Sequence, residues 1–144
     1  MKRPRPFFKL RIIAACLLLA AAAPLSGCSE VQKVEINSVM DARDQAISHK
    51  DIRAYSKLLL AGYSDHGQSK ADVVAQMTDM FGRFDQLQMH SFDRTIRVLD
   101  PTHAQCAQSY RLRVSRDHTW RAIVEREQVD LRKTADGWKI SAGL

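Results

Sequence analysis

The apolar positions of this chain change their spacing twice. From Ile12 to Leu25 they are almost continuous, from Ile36 to Phe84 they recur every three or four residues, and after residue 88 they alternate. In the middle stretch, Ile36, Val39, Met40, Ala46 and Ile47 predict one amphipathic helix, with Asp41, Arg43, Asp44 and Gln45 as its wet side. Asp51 is placed to cap a second helix carrying Ile52, Tyr55, Leu58 and Leu59, with Gly62 ending it. Tyr63 to Gln68 reads as a loop. Ser69 with Asp72 then forms a capping-box pattern for a third helix, whose stripe is Val73, Val74, Met77, Met80, Phe81 and Phe84.

The alternating part predicts strands. Phe92, Ile96 and Val98 mark the first, which stops at Asp100-Pro101. Ala104, Cys106, Tyr110, Leu112 and Val114 alternate against Arg111, Arg113 and Ser115 in the second. A turn at Arg116-Asp117-His118 leads into a long third strand, from about Trp120 to Lys133, with Val129 and Leu131 on one face. Thr134-Ala135-Asp136-Gly137 is a tight-turn signal before Trp138 and Ile140. Helices first and an antiparallel meander afterwards predict an α+β domain with the helices covering one sheet face.

The continuous run has a different meaning. Lys2, Arg3, Arg5, Lys9 and Arg11 precede it, and no acidic residue occurs before Glu30. A basic start, an apolar run of roughly 7–15 residues and a small-residue end make an export signal, whereas a spanning helix needs about 20 apolar residues. The ending Leu25-Ser26-Gly27-Cys28 resembles the lipobox of bacterial lipoproteins. That resemblance implies cleavage before Cys28, diacylglycerol on its thiol and acylation of its new amine. Residues 1–27 are then the signal peptide, 28–35 a tether and 36–144 the domain. As an extended polar tether, Ser29 to Glu35 would reach about 23–25 Å. Ser29 lacks the aspartate that lipoprotein sorting associates with inner-membrane retention. In a Gram-negative host the expected residence is therefore the outer membrane, facing the periplasm.

Cleavage also changes the charge. Five of the 22 Lys and Arg residues leave with the signal, so 17 remain against 16 acids, a net of +1. The high isoelectric point belongs mostly to the signal, which argues against a nucleic-acid partner. Of the three cysteines, Cys16 leaves with the signal and Cys28 is acylated. Cys106 remains alone in a strand, as a small core hydrophobe.

The order of elements resembles the nuclear transport factor 2-like superfamily, the curved cone also used by ketosteroid isomerase. The likeness rests on Asp51-Ile52-Arg53-Ala54-Tyr55, Tyr63-Ser64-Asp65-His66-Gly67, Ser69-Lys70-Ala71-Asp72-Val73, Tyr110-Arg111-Leu112 and Asp136-Gly137-Trp138-Lys139-Ile140. It implies a pocket between the helices and the concave sheet, which Tyr55, Tyr63, His66, Tyr110, Trp120 and Trp138 are candidates to line. It also implies a homodimer through the sheet face. Asp65-His66 is an acid beside an imidazole, but Asp and Gly also serve turns locally, and a solvated His66 is the expectation there. The histidines are scattered without metal-ligand spacing, and no nucleophile elbow or phosphate loop occurs, so no metal, cofactor or catalytic residue is assigned. Arg111, Arg113, Arg116 and Arg121 are expected on a solvated face, partnered by Glu125, Glu127 and Asp130. The function expected is a membrane-anchored binding domain that takes a small apolar ligand or a partner. The alternative is an isomerase- or dehydratase-type enzyme using the cone pocket.

Overall fold

Three helices are followed by a four-stranded antiparallel sheet, in the order the spacing predicts. The computed structural model describes residues 26–144, and side chains from Ser29 onward; most of the expected signal segment and the Cys28 side chain lie outside the described residues. Helix α1 spans Ser26–Ser48, α2 Ile52–Leu58 and α3 Lys70–Arg83. Between α2 and α3, β1 (Ser64–Asp65) and β2 (Gln68–Ser69) form a minimal hairpin. The sheet runs β3 (Gln86–Asp100), β4 (His103–Arg116), β5 (Thr119–Thr134) and β6 (Gly137–Ala142), each paired with its neighbour in sequence. No helix among the described residues is long and apolar enough to cross a membrane.

The caps hold as expected. The Asp51 carboxylate accepts the Ala54 N–H, and Ser69 and Asp72 satisfy each other's backbone in a full capping box. Helix α2 ends at Leu58, before Gly62. Leu59 turns extended and bridges to Ile140, and the Leu60 N–H donates to the Ile140 carbonyl, so the sheet captures the chain before the glycine is reached. The expected loop at Tyr63–Gln68 is the small hairpin, turned by His66 and Gly67 in positive-φ conformations that suit a two-residue connection.

Residues 29–35, expected as an extended tether, are helical. Helix α1 continues back to Ser26, and Glu35 is already docked: its carboxylate accepts from Lys133 Nζ at 2.7 Å and from Trp138 Nε1 at 3.0 Å. Seven helical residues rise only about 10 Å, less than half the extended reach.

The core lies between α1 and the concave sheet face. Ile36, Met40 and Ile47 from α1 meet Ala104, Cys106, Val129, Leu131, Trp138 and Ile140. Burial pushes the Cys106 thiol up to about 11, in keeping with an inert core residue. One strand differs from expectation. Strand β3 starts at Gln86 and buries Leu87 and Met89. A bulge between Phe92 and Thr95, with Asp93 at φ +51°, then resets its alternation. Phe92 therefore stacks on exposed His90, with ring centroids 6.4 Å apart, and does not share the face of Ile96 and Val98. The same bulge turns Arg94 inward, to 2.7 Å from the Gln108 amide oxygen.

Candidate functional site

The polar residues of α1 are where the site begins. Arg43 and Asp44, expected on the wet side, are buried at 6 % and 8 % exposure. Arg43 lies three residues beyond Met40 and four before Ile47, which places it on the apolar stripe itself. Its guanidinium forms a two-pronged pair with Glu127 of β5, at 2.5 and 3.0 Å. Burial works against the Arg43 charge, but the adjacent Glu127 carboxylate more than offsets it and holds the guanidinium protonated.

Gln108 is the hub beneath this pair and is wholly buried. It occupies an inward position of β4, between Cys106 and Tyr110, where the alternation calls for an apolar residue. Its amide nitrogen donates to Glu127 Oε1 at 2.7 Å and to Ser91 Oγ at 3.0 Å. Its oxygen accepts from Arg94 Nε. Ser91 in turn donates its hydroxyl and its N–H to the two Asp44 oxygens, at 2.9 and 2.7 Å. Arg94 continues to Asp41 and Asn37. Helix α1 is thus bolted to β3, β4 and β5 by polar contacts inside the cone. A buried network of this kind is costly unless every member is satisfied.

Almost every member is. Arg43 Nε is buried and has no partner among the described residues. Arg43 also lines the floor of an open cleft of about 480 Å³, together with Tyr55 and Glu127. One wall is Tyr110 with Glu125; the opposite wall is Val73, Met77 and Met80 of α3. Gly143 and Leu144 close the end. The Tyr110 hydroxyl donates to Glu125 at 2.8 Å, and burial together with that carboxylate pushes its phenol up to about 12. Burial also raises the Tyr55 phenol, with Arg43 opposing only part of the shift. Both phenols stay protonated over the physiological range; the Tyr110 proton is already given to Glu125, while that of Tyr55 remains able to donate.

The candidates read from the sequence separate into three groups. Tyr55 and Tyr110 line the cleft. Tyr63 and Asp65 stand behind its end wall: the Tyr63 hydroxyl bonds both backbone groups of Leu144, and Asp65 accepts the Gly143 N–H. Gly143 is needed there, because at φ +95° a Cβ would lie 2.2 Å from the Gln128 carbonyl oxygen. The others lie elsewhere. The His66 side chain is 93 % exposed at the hairpin turn, Trp138 is in the core under α1, and Trp120 stacks with Arg113 near the far end of β5. The expected pairing of the arginines with the strand acids is also not found. Glu127 is held by Arg43 and Glu125 by Tyr110, while Arg113 turns to Gln88 and Trp120. Adjacent residues of a strand point to opposite faces, which puts Arg111 and Arg113 across the sheet from Glu125 and Glu127.

Comparison with solved structures places this architecture. No protein-family model matches the chain, and a search of curated proteins finds no match. Solved structures do match. A nuclear transport factor 2-like superfamily protein from Salmonella enterica superposes with a TM-score of 0.71 at 16 % identity, covering 80 % of this chain and 89 % of that one. A proposed dehydratase of the same family from Streptomyces avermitilis gives 0.70 at 13 % identity, covering 79 % and 94 %. A proposed scytalone dehydratase from Novosphingobium aromaticivorans gives 0.73 at 11 % identity, covering 83 % and 85 %. The chain therefore has the nuclear transport factor 2-like fold, an α+β cone in which helices precede a curved antiparallel sheet. Identities this low carry the fold and not the activity.

Proposed function

We propose that this chain is a lipid-anchored protein of the cell envelope whose cone binds a small, mostly apolar molecule without transforming it. The anchor is Cys28, processed and acylated, and the support for it is the Leu25-Ser26-Gly27-Cys28 sequence behind a basic and apolar lead. Ser29 supports outer-membrane residence on the periplasmic side in a Gram-negative host. The short helical rise from Ser26 to the docked Glu35 would hold the cleft close to that membrane.

The observation that carries the binding reading is the state of the cleft floor. Glu127 accepts two bonds from Arg43 and one from Gln108, so three of its roughly four lone-pair sites hold the domain together. A general base must also be free to move toward the proton it takes, and for Glu127 that would break a buried pair with Arg43 and leave both charges without a partner. The floor carries donor groups instead, the Arg43 guanidinium and the Tyr55 phenol, facing apolar Val73, Met77 and Met80. That pattern suits a ring or short chain bearing one oxygen acceptor. A second reading, a dehydratase- or isomerase-type enzyme, is favoured by the Tyr110–Glu125 pair on the wall. In it Glu125 would take a proton and Tyr110 would support the developing charge.

The test uses 1-naphthol as a probe, an apolar ring with one hydroxyl. Titration by NMR should shift the methyl signals of Met77 and Met80, and Met77→Trp, which fills the cleft, should abolish the shift of Met80. Shifts spread over the surface, or retained in Met77→Trp, would count against the cleft.

A further inference from the structure

The long strand β5 is paired on its inner side along its whole length, yet β6 covers only residues 130–134 of its outer side. From Thr119 to Glu127 its outer edge has no strand partner among the described residues. Natural proteins blunt such edges with prolines, bulges or very short strands. This one has none of these three, only the charged side chains Arg121, Glu125 and Arg126, and its register with β4 is unbroken from Arg132 to Thr119. It carries instead Trp120, Ile123 and Val124, exposed at 37 %, 48 % and 56 %.

The backbone phase of this edge follows from the hairpin. Asp117 and His118, both at positive φ, form a two-residue turn, so Arg116 and Thr119 are a hydrogen-bonded pair. Backbone groups then point alternately inward and outward. The Ser115 carbonyl accordingly faces away from β5 and accepts the Asp85 N–H, and the Gln128 carbonyl faces Gly143 on the outer side. Trp120, Ala122, Val124 and Arg126 therefore present their N–H and C=O groups to the free edge.

The geometry points to a second copy of this chain as the occupant, joined edge to edge and antiparallel about a two-fold axis at Ile123. In that register Ala122 bonds Val124 of the other copy, and Trp120 bonds Arg126, so every outward backbone group from 120 to 126 finds its complement. The side chains match as well. Arg121 falls opposite Glu125 twice, and Arg126 reaches the Trp120 ring, whose neighbour Arg113 already sits 4.7 Å from the ring centroid. Ile123 meets itself on the axis. Shifting the register by two residues in either direction loses the Arg121–Glu125 match. On the outer sheet face the exposed apolar residues Trp120 and Val124, with Ala122 between them, are confined to the free-edge strand, since β4 sets Ser109, Arg111, Arg113 and Ser115 beside them. The two sheets would become one continuous eight-stranded surface, and the other copy's Arg121 and Trp120 would stand at the rim of each cleft, beside Glu125 and Arg126.

Cysteine cross-linking in membranes from cells carrying the full chain tests this register. Ile123 and its symmetry mate form a non-hydrogen-bonded pair with Cα atoms about 4.5 Å apart, within the roughly 4.4–6.8 Å that a disulfide spans. Under mild oxidation with copper phenanthroline, Ile123→Cys should give a covalent dimer well above the parent chain, and Ala122→Cys or Val124→Cys alone should give little. Arg121→Glu added to Ile123→Cys should abolish the dimer, and adding Glu125→Arg as well should restore it. No dimer from Ile123→Cys, dimers strongest at residue 122 or 124, or a dimer indifferent to the charge exchange would each overturn the proposal. Naphthol binding is read separately, so neither result decides the other.

Discussion

Replacing Arg43 with Met is expected to destabilise the domain by about 3–5 kcal/mol, because it leaves the Glu127 carboxylate buried without its counter-charge. Glu127 has only 12 % of its side chain exposed and cannot turn to water without abandoning Gln108. Gln108 is itself wholly buried, so the loss spreads to Ser91 and Arg94. Against a total stability of about 5–15 kcal/mol, one such change can unfold much of the population. The paired replacement Arg43→Met with Glu127→Leu should recover much of the loss, since it removes both charges and fills the space with apolar atoms. Chemical denaturation of the two variants beside the parent checks this. If the single variant melts like the parent, the pair does not hold α1 to the sheet.

The second large effect is at Trp138. Its ring is 3 % exposed and its Nε1–H donates to Glu35, while Lys133 bonds the same carboxylate and lies 5.7 Å from the ring centroid. Trp138→Ala should cost about 3–5 kcal/mol through the cavity alone, and lower the melting temperature by at least about 10 °C. Trp138→Phe should cost less, since it keeps most of the apolar volume and gives up the bond to Glu35. The Lys133 bond, with the Lys133 charge and the Trp138 bond, holds the Glu35 carboxyl below its ordinary value of 4.5. The stabilisation from this clamp is therefore present above that pH and fades as the pH falls through the lowered value. An unchanged melting temperature in Trp138→Ala would show that this face is not the core.

Both residues bear on what the sequence could disclose. The strand position of Trp138 was legible because β6 follows the tight turn at Asp136-Gly137 and alternates with Ile140, and so were the caps at Asp51 and Ser69, which rest on bonds spanning only three residues. Arg43 was not, because residue type outweighed position: an arginine on an amphipathic helix reads as wet even three residues from Met40. Gln108 was hidden in the same way on β4. Their partners, Glu127 and Ser91, come from strands far along the chain, and no local spacing encodes a pair separated by 84 residues. The bulge at Asp93 shifted Phe92 for a related reason, since one inserted residue reverses every later side chain. Of the site, the two lining tyrosines were legible and the charged floor was not.

Native mass spectrometry of the protein extracted gently from its own membranes tests the anchor and the small molecule in the cleft together. The expected species is a chain beginning at Cys28 and carrying acyl mass, with a small additional mass that is absent from the Met77→Trp variant. A chain that begins elsewhere or carries no lipid would contradict the anchor. An acylated chain that holds no added mass, or holds the same mass after Met77→Trp, would contradict the binding cleft.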